Sequence, residues 1–174
     1  MKILIIGGSY FLGRAFTMVA SKEHELTLLN RGNISMERYN VSQYKADRRD
    51  IEMLQKFPSQ DYDVVVDFCA YNPGDIRSFV ENMPIFPGLI KKYIFVSTVD
   101  VYERNVGYVK DENTPLSTIR YGGDIGDYIY GKICLEKELK EVCTRIGINY
   151  VIIRPSIIYG PNNYAPRESK FIKM

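Results

Sequence analysis

Tyr128 and Lys132 stand four residues apart in the run Tyr-Ile-Tyr-Gly-Lys, a spacing that puts both on one helix face. A phenol ionises only near pH ~10, so at neutral pH it is a poor base. An ammonium one turn away favours the phenolate and brings it nearer a useful pKa. The chemistry of such a pair is proton exchange with a hydroxyl. Tyr130 competes for the role, but Lys132 follows it by only two residues and faces elsewhere. With fourteen tyrosines in the chain, chance Tyr–Lys pairs are common, so the weight rests on what converges with this one. Ser97 and Thr98 close an apolar run, and hydroxyls just past a strand end can reach a cleft. Their plainer role is to terminate the strand.

A second chemistry is written at the start of the chain. The apolar run Ile3–Ile6 meets Gly7 and Gly8, then Ser9, Tyr10, Phe11 and Leu12, then Gly13. That order predicts strand, tight turn and helix start, with backbone N–H groups aimed at one spot, an anion site suited to a pyrophosphate. An ordinary turn between strand and helix is the alternative. At the end of the second strand, Asn30 occupies the place where NAD enzymes usually carry an acid against the ribose. Arg31 follows it and can pair with a 2′-phosphate, which tilts the cofactor from NAD toward NADP. Asp47, past the third strand, can accept from an adenine amino group or cap a helix near Ile51.

The elements that must position these residues alternate. Helices are predicted over 11–21, 51–57, 75–82 and 128–146, the last closed by Gly147. Strands are predicted over 25–30, 41–46, 63–68, 92–97 and 150–153 in addition to the first. Residues 105–126 read as an irregular loop. Alternation of this kind gives an α/β fold with a doubly wound parallel sheet. The expected dinucleotide-binding domain covers 1–160, and 161–174 is a polar tail that begins a missing substrate lobe.

Composition narrows the partners. At 174 residues the chain holds one domain with a real core. Twenty-three Lys and Arg against twenty-one Asp and Glu leave a net charge of +2, which gives no electrostatic case for nucleic acid or membrane surfaces. Three separated cysteines and one histidine, His24, form no metal spacing. No signal peptide and no apolar run of about 18 residues is present, so a cytoplasmic protein is expected.

The glycine turn, Val96-Ser97-Thr98 with Val101-Tyr102, Tyr128-x-x-x-Lys132 and Arg154-Pro155-Ser156-Ile157-Ile158-Tyr159-Gly160-Pro161 together resemble the extended short-chain dehydrogenase/reductases. More narrowly, the chain resembles the NAD-dependent epimerase/dehydratase family along essentially its whole length. The resemblance implies a Rossmann-type fold and an NAD(P)-dependent oxidoreductase, epimerase or dehydratase. Its substrate would be a nucleotide sugar or another hydroxylated small molecule. Residues Gly7 to Gly13 would hold the pyrophosphate, and Asp47, with Arg48 beside it, would meet the adenine. Phe68, Cys69 and Ala70 would line the cofactor's path, with Ser97 and Pro155 near its far end. Thr98 and Tyr128 would act on the substrate, and Lys132 would hold the nicotinamide ribose. A homodimer is also implied. Tyr10 departs from the family pattern, standing where the turn usually carries its middle glycine, a position that tolerates unusual φ. A non-catalytic cofactor-sensing or RNA-associated relative of the same fold is the alternative function.

Overall fold

In the computed structural model, residues 1–86, 88–104, 107 and 110–163 are described. Six strands, β1 (Lys2–Ile6), β2 (Glu25–Asn30), β3 (Ser42–Lys45), β4 (Tyr62–Asp67), β5 (Ile90–Val96) and β6 (Asn149–Ile153), form one sheet. The order is β3-β2-β1-β4-β5-β6 and every pairing is parallel. This is the Rossmann-like doubly wound arrangement that the alternation predicts.

Burial explains the composition of the central strands. Ile3, Leu4, Ile5 and Ile6 are all buried, because parallel strands covered on both faces need apolar side chains pointing each way. Leu4 and Ile6 pack with Leu29, Val65, Phe95 and the helices α2 (Ile51–Gln55), α3 (Asp75–Asn82) and α4 (Gly123–Ile146). Ile3 and Ile5 face the opposite way, toward Leu26, Leu28, Val66 and Phe16 of helix α1 (Phe11–Ala20). The alternation along β1 thus assigns α1 to one face of the sheet and the other three helices to the second.

Several boundaries differ from the sequence-based expectation. Helix α4 begins at Gly123 rather than Tyr128. Its start reads as loop because of Gly122, Gly123 and Gly126, but Gly126 is there for packing. A Cβ on it would lie 2.1 Å from the Tyr121 carbonyl oxygen. Gly147 ends α4 in the left-handed conformation, as expected. Asp50, not Asp47, caps α2, its carboxylate accepting from Met53 N–H at 3.1 Å. Short 3-10 turns at Glu37–Tyr39 and Val99–Val101 have no counterpart in the sequence reading. The 105–126 loop holds a bridge between Tyr102 and Leu116; its residues 105, 106, 108 and 109, and tail residues 164–174, lie outside the described residues. His24 sits half-buried in the bend that leads into β2.

Candidate active site

The carboxyl ends of the strands open into one cleft of about 940 Å³. Residues Gly7 to Gly13, Asn30, Arg31, Asp47, Arg48, Phe68, Cys69, Ser97, Thr98, Tyr128, Lys132 and Pro155 all reach its wall. Ala70 does not; it is fully buried behind the wall.

At the turn, backbone geometry sets the shape. Gly7 and Gly8 have φ of +97° and +79°, the left-handed region that favours glycine. A Cβ on Gly8 would come within 2.8 Å of Ile5 Cγ2, and one on Gly13 within 3.0 Å of Gly8 Cα. The strand-to-helix contact is therefore tight enough to require both glycines. Thr17, fully buried, locks it further: its hydroxyl lies 3.0 Å from the Gly8 carbonyl oxygen and 2.9 Å from that of Gly13. Tyr10 has φ −124°, ordinary extended backbone, so the missing middle glycine costs no strain there. The strained residue is its neighbour Phe11, at φ +37°. The Tyr10 ring is 48% exposed.

Two residues assigned to the cofactor, Asn30 and Arg48, line the cleft and are also bonded within the protein. Asn30 donates to the Gly7 carbonyl at 2.9 Å, and its oxygen accepts from Gly32 N–H and from Gln43 Nε2. It braces the turn, which leaves Arg31 as the exposed polar residue at the end of β2. Arg48 is buried, and its Nη1 donates to both oxygens of Asp67 at 2.9 Å. Burial works most strongly against its charge, but the Asp67 carboxylate, with Tyr93 and Cys69 beside it, outweighs burial and keeps the guanidinium protonated, its pKa raised. Asp67 also accepts from Tyr93 Oη at 2.7 Å and from the N–H groups of Cys69 and Ala70. Burial and that carboxylate push the Cys69 thiol up to about 12, so it stays protonated. Asp47 is exposed on the cleft wall, and its carboxylate accepts from Arg49 N–H.

At the other end, α4 presents Tyr128 and Lys132 on successive turns to the same cleft. Tyr130 faces away, its ring beneath Arg120 at 4.5 Å. Tyr128 is 38% exposed, whereas Lys132 is 1% exposed. The Lys132 ammonium donates to the carbonyls of Ala70 and Val96, each at 2.9 Å. It sits 4.6 Å from the Phe95 ring centre, 4.9 Å from that of Tyr71 and 5.8 Å from that of Tyr128. Burial lowers its pKa to about 8, with Asp67 pulling the other way. Gly131 allows this packing, since a Cβ there would lie 2.4 Å from the Tyr71 carbonyl oxygen. Thr98 donates to Asp100 Oδ2 at 3.2 Å and accepts from Asp100 N–H at 3.3 Å. Ser97 Oγ is buried at the cleft without a hydrogen-bond partner among the described residues, so a donor or acceptor from a ligand suits it.

Sequence reasoning missed Thr17, Gln43, Asp67, Tyr71 and Asp100. Only Asp67 carried a signal, as an acid directly after the apolar run Val64–Val66. The cleft's free helix N-terminus, its close-packed glycines and the orphan Ser97 hydroxyl fit a dinucleotide.

Comparison with known proteins agrees with the fold. UDP-galactose 4-epimerase superposes with a TM-score of 0.78 at 16% identity, covering 99% of this chain and 62% of that one. UDP-glucose 4-epimerase from Bifidobacterium longum, solved with NAD+ and UDP, gives 0.73 at 18% identity, covering 88% and 52%. The dTDP-D-glucose 4,6-dehydratase of Dictyostelium discoideum is 24% identical over 99% of this chain and 48% of its own. The chloroplast stem-loop binding protein of 41 kDa b of Arabidopsis thaliana is 26% identical over 98% of this chain and 45% of its own. The chain thus spans about half the length of the curated relatives it matches.

That last relative corrects the expectation that nucleic acid is an improbable partner. Net charge averages over a whole surface and does not report a local patch. Arg31, Arg38, Lys45 and Arg49 are exposed within one stretch, alongside Glu37 and Asp47. On location, what holds is that no helix among the described residues is long and apolar enough to cross a membrane. The profile of the NAD dependent epimerase/dehydratase family matches residues 88–174, half of the sequence, and with the strand order and the glycine turn it makes this chain a member of that NAD(P)-linked family.

Proposed function

We propose that this chain carries the cofactor-holding part of an NAD(P)-dependent oxidoreductase, epimerase or dehydratase acting on a hydroxylated small molecule, a nucleotide sugar being the favoured class. One observation carries the reading: the glycine turn and the Thr98, Tyr128, Lys132 set converge on a single cleft. In this reading residues 1–160 form the dinucleotide-binding domain. The N–H groups at the start of α1 take the pyrophosphate, Asp47 takes the adenine and Arg31 attends its ribose. A bound nicotinamide supplies the two-electron exchange with a substrate carbon.

The protein's own task is placement and proton transfer. Tyr128 exchanges a proton with the substrate hydroxyl at its phenolic oxygen. Lys132 spends two of its three N–H donors on carbonyls, and the third serves the nicotinamide ribose. Its positive charge beside the Tyr128 ring favours the phenolate. Thr98 turns its hydroxyl from Asp100 to the reacting oxygen and steadies the charge that develops there.

Titration with NADH and NADPH, followed by nicotinamide fluorescence, tests the reading in wild type and Tyr10→Gly. Saturable binding of either cofactor is expected, with little change on removing the Tyr10 ring. A folded sample that binds neither overturns it. Tyr128→Phe should lower turnover of a nucleotide-sugar substrate by about 100-fold or more with cofactor affinity unchanged. A second reading, a nucleic-acid-associated relative, rests on the stem-loop binding protein's similarity. Stem-loop RNA binding that weakens steeply with salt would favour it.

A further inference from the structure

Beneath the cleft lies a buried polar network that the proton-transfer chemistry does not use. Arg48 crosses from the end of β3 to the end of β4, where its Nη1 meets both Asp67 oxygens and its Nη2 donates to the Asp75 carbonyl at 2.9 Å. Arg49 donates to Asp75 Oδ1 at 3.2 Å. The other Asp75 oxygen accepts from Tyr71 and Asn72 N–H, each at 3.0 Å. Both ends of the 67–75 connection are therefore clamped by one arginine pair. At its centre, Asp67 Oδ1 accepts from Cys69 N–H at 3.0 Å and Ala70 N–H at 3.1 Å. The carbonyl of that same Ala70 receives the Lys132 ammonium, and the Tyr71 ring lies beside Lys132 and Tyr128.

A buried ion pair of this kind is a poor source of stability, since apolar replacements of equal volume are often as stable. What it supplies is fixed geometry. We infer that Arg48 and Asp67 are positioning residues for the Tyr128–Lys132 site, holding the Ala70 carbonyl, and through it the Lys132 ammonium, in register with the cleft. The inference rests on the proposed role of Lys132. It links the loop at the adenine end of the cleft to the reacting end through three contacts: Arg48 to Asp67, Asp67 to the Ala70 peptide, and Ala70 to Lys132.

The link is readable without any cofactor. The charged and titratable groups around the Lys132 ammonium are Asp67 and Cys69 from the end of β4, Arg48 from the loop after β3, Glu136 and Tyr128 from α4, and Tyr71. Titration of the Lys132 ε-carbon by NMR on lysine-labelled full chain, assigned with Lys132→Met, gives its midpoint. Arg48→Met/Asp67→Asn and Arg48→Met/Asp67→Leu remove the same two charges, but only the Asn side chain keeps an oxygen that can accept from the Ala70 N–H. The midpoint should stay close to the wild-type value in the Asn variant and rise by about one pH unit in the Leu variant, as water reaches a loosened Lys132. Arg48→Lys keeps the charge, and a midpoint near the wild-type value is expected. Should a double variant not fold, Asp67→Asn and Asp67→Leu are compared in the same way. Equal midpoints in the Asn and Leu variants overturn the inference, because Asp67 would then act on Lys132 through its charge alone. Wild-type protein that binds neither NADH nor NADPH, with the midpoint still higher in the Leu variant, would remove the enzyme reading and leave the link standing.

Discussion

The two ends of the cleft are held by different means. At the Gly7–Gly13 end the backbone shapes the site: left-handed glycines, a helix N-terminus and Thr17 pinning two carbonyls. Apart from Asn30, which braces Gly7 from the end of β2, what shapes the site there lies close along the chain. At the Tyr128–Lys132 end, side chains shape the site, and their partners come from far away. Lys132 is held by Ala70 and Val96, and Ala70 by Asp67, which Arg48 neutralises. A local motif tolerates drift elsewhere in the fold, whereas a relay of buried contacts is as accurate as its least constrained member.

Single substitutions can break either end. Gly8→Ala should cost the most, about 4 kcal/mol, because a left-handed alanine is strained and its Cβ would also press on Ile5 at 2.8 Å. Chemical denaturation reads the loss; an unchanged midpoint would mean the turn is looser than it looks. Gly131→Ala should cost about 3 kcal/mol, since the obstructing atom is the Tyr71 backbone oxygen and cannot swing aside. Here NADH affinity should fall even where the protein remains folded, because Tyr71 and Ala70 are displaced together.

The third test sharpens the contrast through pH. Burial holds Lys132 at about 8, below its ordinary 10.5. Between those values the unfolded chain binds the proton that the folded chain has released, so stability rises with pH across the window. This lysine therefore costs the fold most below pH 8 and least above 10.5. Wild type should gain on the order of 2 kcal/mol relative to Lys132→Met between the two. Parallel stability curves would show that Lys132 is better solvated than its surroundings indicate. The smallest effect is expected for Thr17→Val, about 1 kcal/mol, from losing the hydroxyl that ties Gly8 to Gly13. Thermal unfolding at neutral pH measures it.

Residues whose role depends on their own backbone or on helix spacing were legible in the sequence. The first strand, the glycine turn and the Tyr128–Lys132 face follow from apolar runs, glycine positions and a four-residue step, all short-range properties. Tyr10 shows where that logic stops. The glycine pattern predicts an unusual φ at residue 10, and the fold instead puts it on Phe11. Arg48 and Asn30 show the same limit from the side of function. A polar residue at a strand end looks the same whether it faces a ligand or turns inward, and only its neighbours in space decide.

The sequence by itself determined the alternation of strands and helices, the parallel sheet, and which residue types gather at the strand ends, because periodicity and turn chemistry act locally. Tertiary structure alone decided that Asn30 braces the turn, that Arg48 neutralises Asp67, and that the ammonium of Lys132 rests on the Ala70 carbonyl. Those assignments join residues 19 to 62 positions apart, and no local preference encodes which buried donor meets which acceptor. It is the need to satisfy every charge and hydrogen bond excluded from water that selects the pairing.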